Sequence, residues 1–164
     1  MSATAEIESA NTSIHTQTDS VTQFLAFELH GQEFAIEVLQ VQEIRNYTRV
    51  TPIPNTPQSV KGVMNLRGAV IPIVDLRSKF NLPETEPNQF TVIIVVNVSD
   101  KVMGLVVDTV SDVLDITDDA IEPAPDLGAV DTTFLTGLAK SGDRLVALLN
   151  VEQLLCNERS GFNN

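Results

Sequence analysis

The 164-residue chain has no tryptophan, one tyrosine, one cysteine and two histidines, and each shortage excludes a class of function. Cys156 alone can form neither an internal disulfide nor a multi-thiolate metal site, and it reads as a buried thiol near a helix end. His15 and His30 stand in no metal-ligand spacing. No run of about 18 apolar residues could span a bilayer. Glu6 and Glu8 stand where a signal peptide would carry basic residues. Cytoplasm is therefore the expected compartment, and the sequons at Asn11, Asn46 and Asn97 carry no glycosylation signal there.

Positive charge is also scarce. Ten Lys and Arg face 22 Asp and Glu, for a net charge of −12, which argues against nucleic acid or insertion at an anionic membrane, because both require clustered cations. Signs of catalysis are missing too. No glycine-rich loop opens a helix, and Ser111, Ser141 and Ser160 lack a nucleophile elbow. Asp115, Asp118, Asp119, Glu122 and Asp126 are dense, but they lack the alternate ligands, central glycine and twelfth-position Glu of a calcium loop. They read as a solvated acidic face, so neither cofactor nor metal nor enzymatic activity is expected.

What the chain does contain is the same pattern twice. Thr22 to Ile44 overlies Thr91 to Val113 without a gap, setting Phe24 on Ile93, Phe27 on Val96, Phe34 on Met103, Ile36 on Leu105, Val41 on Val110 and Ile44 on Val113. A register shifted by six residues then sets Lys61-Gly62-Val63 on Thr136-Gly137-Leu138, and Val70 to Leu76 on Leu145 to Val151. Identities are few, and generic strand-turn-strand segments would superpose in a similar way, so the argument for duplication rests on the length of the shared pattern.

Charge separates the two copies. Between residues 41 and 80, Arg45, Arg49, Lys61, Arg67, Arg77 and Lys79 face Glu43 and Asp75, whereas between 100 and 131 nine acidic residues face Lys101 alone. Such polarity suits a molecule that holds different partners at its two ends, although drifted composition on two solvated faces would look the same.

Residues 1–20, rich in Ser, Thr, Ala and Glu, read as a loosely tethered tail. Gln23 to Leu29 and Phe34 to Val38 form a hairpin around His30-Gly31. Leu39 to Ile44 fits a helical turn as well as a strand. Thr51 to Pro57 is an extended linker set by its prolines. Lys61 to Leu66 and Ala69 to Val74 form a second hairpin turning at Arg67-Gly68, with Pro72 favouring an edge strand or a bulge. The plan recurs in Thr91 to Val98, Val102 to Val107 and Leu145 to Leu149, and short helical turns are expected at Leu76 to Phe80 and Val151 to Leu155. The expected organisation is all-β: a first small barrel over about 21–80, a linker at 81–90, a second barrel over about 91–156, and a C-terminal tail at 157–164.

Two features draw notice as candidate binding chemistry. The first hairpin tip presents Arg67 where the aligned residue of the second copy is Gly142, and arginine suits fork-like recognition of a carboxylate. Glu43, between Val41 and Ile44, recurs as Asp112 between Val110 and Val113. An exposed hairpin arginine and a fold-level hydrogen bond would explain the same residues.

The runs Val41-Gln42-Glu43-Ile44-Arg45, Asn55-Thr56-Pro57, Lys61-Gly62-Val63, Asn65-Leu66-Arg67-Gly68, Pro72 to Arg77, Gly104 to Asp108, Val110 to Leu114 and Thr136-Gly137-Leu138 resemble, in order, the CheW family of chemotaxis coupling proteins. The resemblance covers roughly residues 20–156. It implies two SH3-like five-stranded β-barrels and a non-enzymatic adaptor that joins the cytoplasmic tips of methyl-accepting chemoreceptors to the regulatory domain of the histidine kinase CheA. It further implies receptor contacts at Val41, Glu43, Arg67 and Val92, and a secondary kinase contact through Ile121 to Leu127, including Ile121, Glu122 and Leu127. Glu122 departs from the basic residue expected there, which reverses or removes any salt bridge at that contact. A coupler for another chemosensory system, such as one controlling pili, would share every motif.

Overall fold

The computed structural model describes residues 20–123 and 132–154. The expected tails, Cys156 and Leu127 therefore lie outside the described residues, except Ser20. Eleven strands run in chain order: β1 Val21–Leu29, β2 Gln32–Glu37, β3 Val41–Asn46, β4 Val60–Leu66, β5 Ala69–Asp75, β6 Val92–Val98, β7 Lys101–Val107, β8 Thr109–Thr117, β9 Ile121–Glu122, β10 Leu135–Ser141 and β11 Arg144–Leu149. A short helix α1, Leu76–Lys79, follows β5, and a matching helical turn at 151–154 follows β11.

The strands form two sheets, ordered β8-β1-β2-β11-β10-β9 and β3-β6-β7-β5-β4. Apart from the two-residue β9 these are the same sheet, because the sequence offset that carries Thr22 onto Thr91 carries β1, β2 and β3 onto β6, β7 and β8. The registers agree residue for residue. Phe27 pairs with Phe34 as Val96 pairs with Met103, Leu25 with Val113 as Ile94 with Ile44, and Gly62 with Ile73 as Gly137 with Leu148. The fold is a duplicated pair of SH3-like barrels.

The copies are nevertheless interlocked. Hairpin β1–β2 of the first copy sits in the second copy's sheet, joined in parallel to β11 through Phe34–Ala147 and Ala35–Leu148. Hairpin β6–β7 sits in the first copy's sheet, joined in parallel to β5 through Ile73–Gly104 and Val74–Leu105. The 81–90 linker thus separates the copies along the chain, while each sheet draws strands from both sides of it.

Strand alternation distributes the core accordingly. Phe24 and Ala26 of β1 point into one barrel with Leu114, Ile116, Val146 and Leu148. Ile93 and Val95 of β6 point into the other with Leu66, Ile71, Ile73 and Val106. The opposite faces, Leu25, Phe27 and Leu29 of β1 and Ile94 and Val96 of β6, meet between the sheets with Phe34, Leu76, Phe80, Leu105, Phe134 and Leu154. Both faces of β1 and β6 are therefore buried, and this explains why they read as continuous apolar runs. Ring contacts Phe27–Phe34, Phe34–Phe80 and Phe80–Phe134, at centroid distances of 6.0, 5.4 and 6.3 Å, run through this shared layer.

Two local expectations change. The ambiguous Leu39 to Ile44 segment divides into a 3-10 turn over Val38–Gln40 and strand β3. Pro72 lies in β5, which is an interior strand of its sheet and not an edge. Its missing N–H is tolerated because pairing with β7 begins only at Ile73, so at Pro72 the strand has β4 alone beside it.

Gly62 and Gly137 occupy equivalent crossings, where the chain passes close over the first strand of the second hairpin in each copy. A Cβ on Gly62, at φ 152, would lie 2.1 Å from the Thr51 carbonyl oxygen, and one on Gly137 would lie 2.5 Å from that of Glu122. Gly137→Ala is expected to destabilise by about 2 kcal/mol or more, because backbone has to move. Gly31→Ala, in open space at φ 80, is expected to cost about 1 kcal/mol from conformation alone. Thermal melting of the two variants measures the difference.

Candidate functional site

Each barrel is closed by an arginine from its second hairpin bound to an acid on a neighbouring strand. In the first barrel the type of turn fixes the donor: Arg67 and Gly68, at φ 53 and 91, form the two-residue connection of β4 to β5, and the Arg67 side chain is 65% exposed. Its guanidinium reaches Glu43 on β3, with Nη2 donating to Oε1 at 2.6 Å and Nη1 to Oε2 at 3.2 Å. Arg45 Nη1 adds a longer bond to Glu43 Oε2 at 3.5 Å. These hydrogen bonds, that from Arg67 above all, hold the Glu43 carboxyl below the ordinary carboxylate range.

The second barrel repeats the device with different residues. Arg144 Nη1 and Nη2 donate to Asp112 Oδ2 and Oδ1 at 3.1 and 3.0 Å, and Arg144 Nε and Nη2 donate to Glu33 at 2.9 and 2.7 Å. Asp112 is the equivalent of Glu43. Sequence alignment of the copies missed Arg144 because it stands two residues past Gly142, the position aligned with Arg67. An arginine anywhere in the hairpin turn would have been the better signal.

Of the residues expected together, Val41, Glu43 and Val92 lie on one strand pair, and Arg67 reaches it from the β4–β5 turn. Val41 and Asn46 bracket the β3–β6 ladder, pairing with Val96 and Val92, and Glu43 pairs with Val95 between them. Val41 and Val92 are both partly buried against the shared core. They mark opposite ends of the β3–β6 ladder on the face turned to the shared layer, whereas Glu43, paired with Val95, lies on the opposite, barrel-side face with Arg67. Arg67 is not a free fork, since two of its N–H groups already engage Glu43; an arginine has five.

The expected secondary contact is divided. Ile121 and Glu122 form β9 against Ala139 and Leu138, and Glu122 makes an exposed ion pair with Lys140 at 3.5 Å. Among the described residues, no three His, Cys, Asp or Glu side chains converge as metal ligands, and no helix is long and apolar enough to cross a membrane.

A second ionic cluster ties the two sheets. Arg77, after β5, donates from Nε and Nη2 to Asp108 at 2.8 and 2.6 Å and from Nη1 to the Pro83 carbonyl at 2.6 Å. Asp108 also accepts from the His30 backbone N–H at the β1–β2 turn, at 2.9 Å. Partial burial works to raise the Asp108 carboxyl, but the bonds from Arg77 and His30 outweigh it and the net shift is downward. Asp75, buried beside Lys61 at 3.9 Å, is pushed upward by desolvation.

Residues 23–159 match the CheW-like domain. The chain belongs to the CheW family. It is 47% identical over 137 residues to the Chemotaxis protein CheW of Klebsiella aerogenes, covering 83% of this chain and 82% of that one. It is 38% identical to the Probable chemotaxis protein CheW of Rhizobium etli, covering 84% and 90%. Among solved structures, the scaffolding protein TtCheW from Thermoanaerobacter tengcongensis superposes with a TM-score of 0.74 at 31% identity, covering 78% of this chain and 88% of that one. The family is one of scaffolding and chemotaxis proteins, not an enzyme class.

Because the folded Asp108 carboxyl is held below its unfolded value, its contribution to stability is present above the unfolded pKa, near 3.9, and is lost as pH falls through the lower folded value. Asp108→Asn should therefore destabilise at pH 7 by about 1 to 3 kcal/mol and reduce the loss of stability on acidification below about pH 4. Urea unfolding of both proteins from pH 7 to pH 3 checks the sign.

Proposed function

We propose that this chain is a cytoplasmic adaptor of chemosensory signalling that couples the cytoplasmic tips of methyl-accepting chemoreceptors to the regulatory domain of the histidine kinase CheA, and so helps control kinase autophosphorylation. The observation that carries the reading is the Glu43–Arg67 pair on the β3–β6 strip. There a largely exposed guanidinium keeps donors unspent after binding its own acid, at the edge of the ladder whose other face carries Val41 and Val92. A helical receptor tip laid over that edge would meet the valines on one side and offer a carboxylate to the remaining N–H groups on the other. Contacts of this size with few anchors suit reversible signalling.

Kinase engagement falls to other surfaces. Ile121, Glu122 and Leu127 are the proposed secondary kinase contact, and with Glu122 acidic and already beside Lys140, any ionic partner there must bring a cation. The duplicated barrel itself supports pairing with a kinase domain of like shape, since residues at barrel ends can be covered by a similar end.

Arg67→Ala should weaken binding of a receptor-tip fragment by about 1 to 3 kcal/mol while the circular dichroism spectrum and melting temperature change little, because the Glu43 bond is exposed. Calorimetric titration against the receptor tip reads the effect; unchanged affinity in a folded variant removes Arg67 from the site.

A further inference from the structure

Among the described residues, five of six phenylalanines are 5% exposed or less, whereas Phe90 is 60% exposed. A large ring left in water is the exception that needs a reason. Its backbone is not loose. Phe90 lies in the turn Asn88–Thr91 ahead of β6, and Asn88 holds that turn three ways. Its Oδ1 accepts from the Phe90 N–H at 2.7 Å, its carbonyl accepts from the Thr91 N–H at 3.1 Å, and its own N–H donates to Thr91 Oγ1 at 2.9 Å. Thr91, 8% exposed, is tied in turn to the chain beyond β3, its carbonyl accepting from the Tyr47 N–H at 3.1 Å. The turn therefore presents the ring from a fixed base, which lowers the entropy lost when a partner covers it. The duplicated plan does not require this arrangement, since the equivalent residue, Val21, already lies in β1 and pairs with Thr117.

Position indicates the kind of partner that fits. Phe90 stands two residues before Val92, at the Asn46 end of the β3–β6 ladder. The Glu43–Arg67 pair sits farther along the same ladder, level with Val95. Five residues lead from Phe90 to Val95, a span of up to about 17 Å along a strand. An α-helix covers that distance in about 11 residues, and residues about 11 apart return to the same helix face, because 11 is close to three whole turns. One helix laid over this edge can thus meet Arg67 and Phe90 together. The cations near the turn, Arg45, 40% exposed, and the exposed Arg49, favour an acidic helix, as Arg67 does.

We propose that Phe90 is a specificity-determining anchor for the receptor tip, meeting its helix about three turns from the carboxylate that binds Arg67, and that Asn88 is the positioning residue that aims the ring. The inference rests on the receptor reading of the Glu43–Arg67 edge and extends that contact past Val92. It assigns Phe90 to the receptor and not to the kinase.

Calorimetric titration of the full chain and its variants against a receptor-tip fragment, and separately against the regulatory domain of the kinase, tests it. Phe90→Ala should weaken receptor binding at least about tenfold and Phe90→Leu less than about threefold, with melting temperature and kinase-domain affinity unchanged. Asn88→Ala should weaken receptor binding several-fold by freeing the turn. In the Phe90→Ala background it should have no further effect, because the turn then has no ring to aim; a further loss there removes the positioning role. Equal receptor affinity in wild type and Phe90→Ala, while Arg67→Ala binds weakly, overturns the anchor and leaves the receptor reading standing. A wild-type chain that does not bind the receptor fragment overturns both. Loss of kinase-domain binding in Phe90→Ala also overturns the proposal, since it gives the turn to the other partner.

Discussion

The parallel pairings of β2 with β11 and of β5 with β7 are the constraint on which everything else rests. Each joins a hairpin from one copy to the body of the other, so neither sheet can be completed from a single half of the chain. They also force the two hairpins to bury both faces, one inside a barrel and one in the shared layer between barrels. Non-local strand pairing of this kind is slow to form, because loop entropy is lost before the contacts are made. Once formed, the stacked phenylalanines of the shared layer make the two barrels one cooperative unit.

The site inherits this arrangement. Because β3 pairs with β6 from the other copy, Val92 joins Val41 and Glu43 on one ladder although it is remote in sequence, and the hairpin carrying Arg67 closes onto Glu43 from across the barrel. The same geometry brings Arg144 to Asp112. The two closures are chemically alike but their surroundings are opposite in charge, so an adaptor gains two distinguishable ends from one duplicated plan. Arg77 and Asp108 then fasten the β1–β2 turn to the segment after β5, which limits how far the two ends can move relative to each other.

Much of this was legible in the chain. Apolar periodicity gave β1, β2, β4 to β7 and β11 and their duplication, and the aligned pairs Phe27 with Val96 and Phe34 with Met103 occupy identical ladder positions; β3 stayed between strand and helix, and β8, β9 and β10 were not read as strands, β8 because it runs through the acidic stretch. The exchange of hairpins was not legible. Residues of β1 are as apolar as those of β6, and pattern alone does not say which sheet each completes. Arg67 and Glu43 were each visible as candidates, but their bond to one another was not, since they lie far apart in sequence and the direction of Glu43 hung on whether its segment was strand or helix. Arg144 escaped because it opens β11 at the position of Ala69, so the residue aligned with Arg67 is Gly142.

The central claim is that one folded unit holds two partners at once through separate surfaces. Its most direct measurement is sedimentation of this chain mixed with both a receptor-tip fragment and the isolated regulatory domain of the kinase. A three-component complex whose formation requires this chain is the expected result, with the receptor fragment and the kinase domain failing to co-sediment without it. Mutual displacement, in which addition of one partner releases the other, would contradict it.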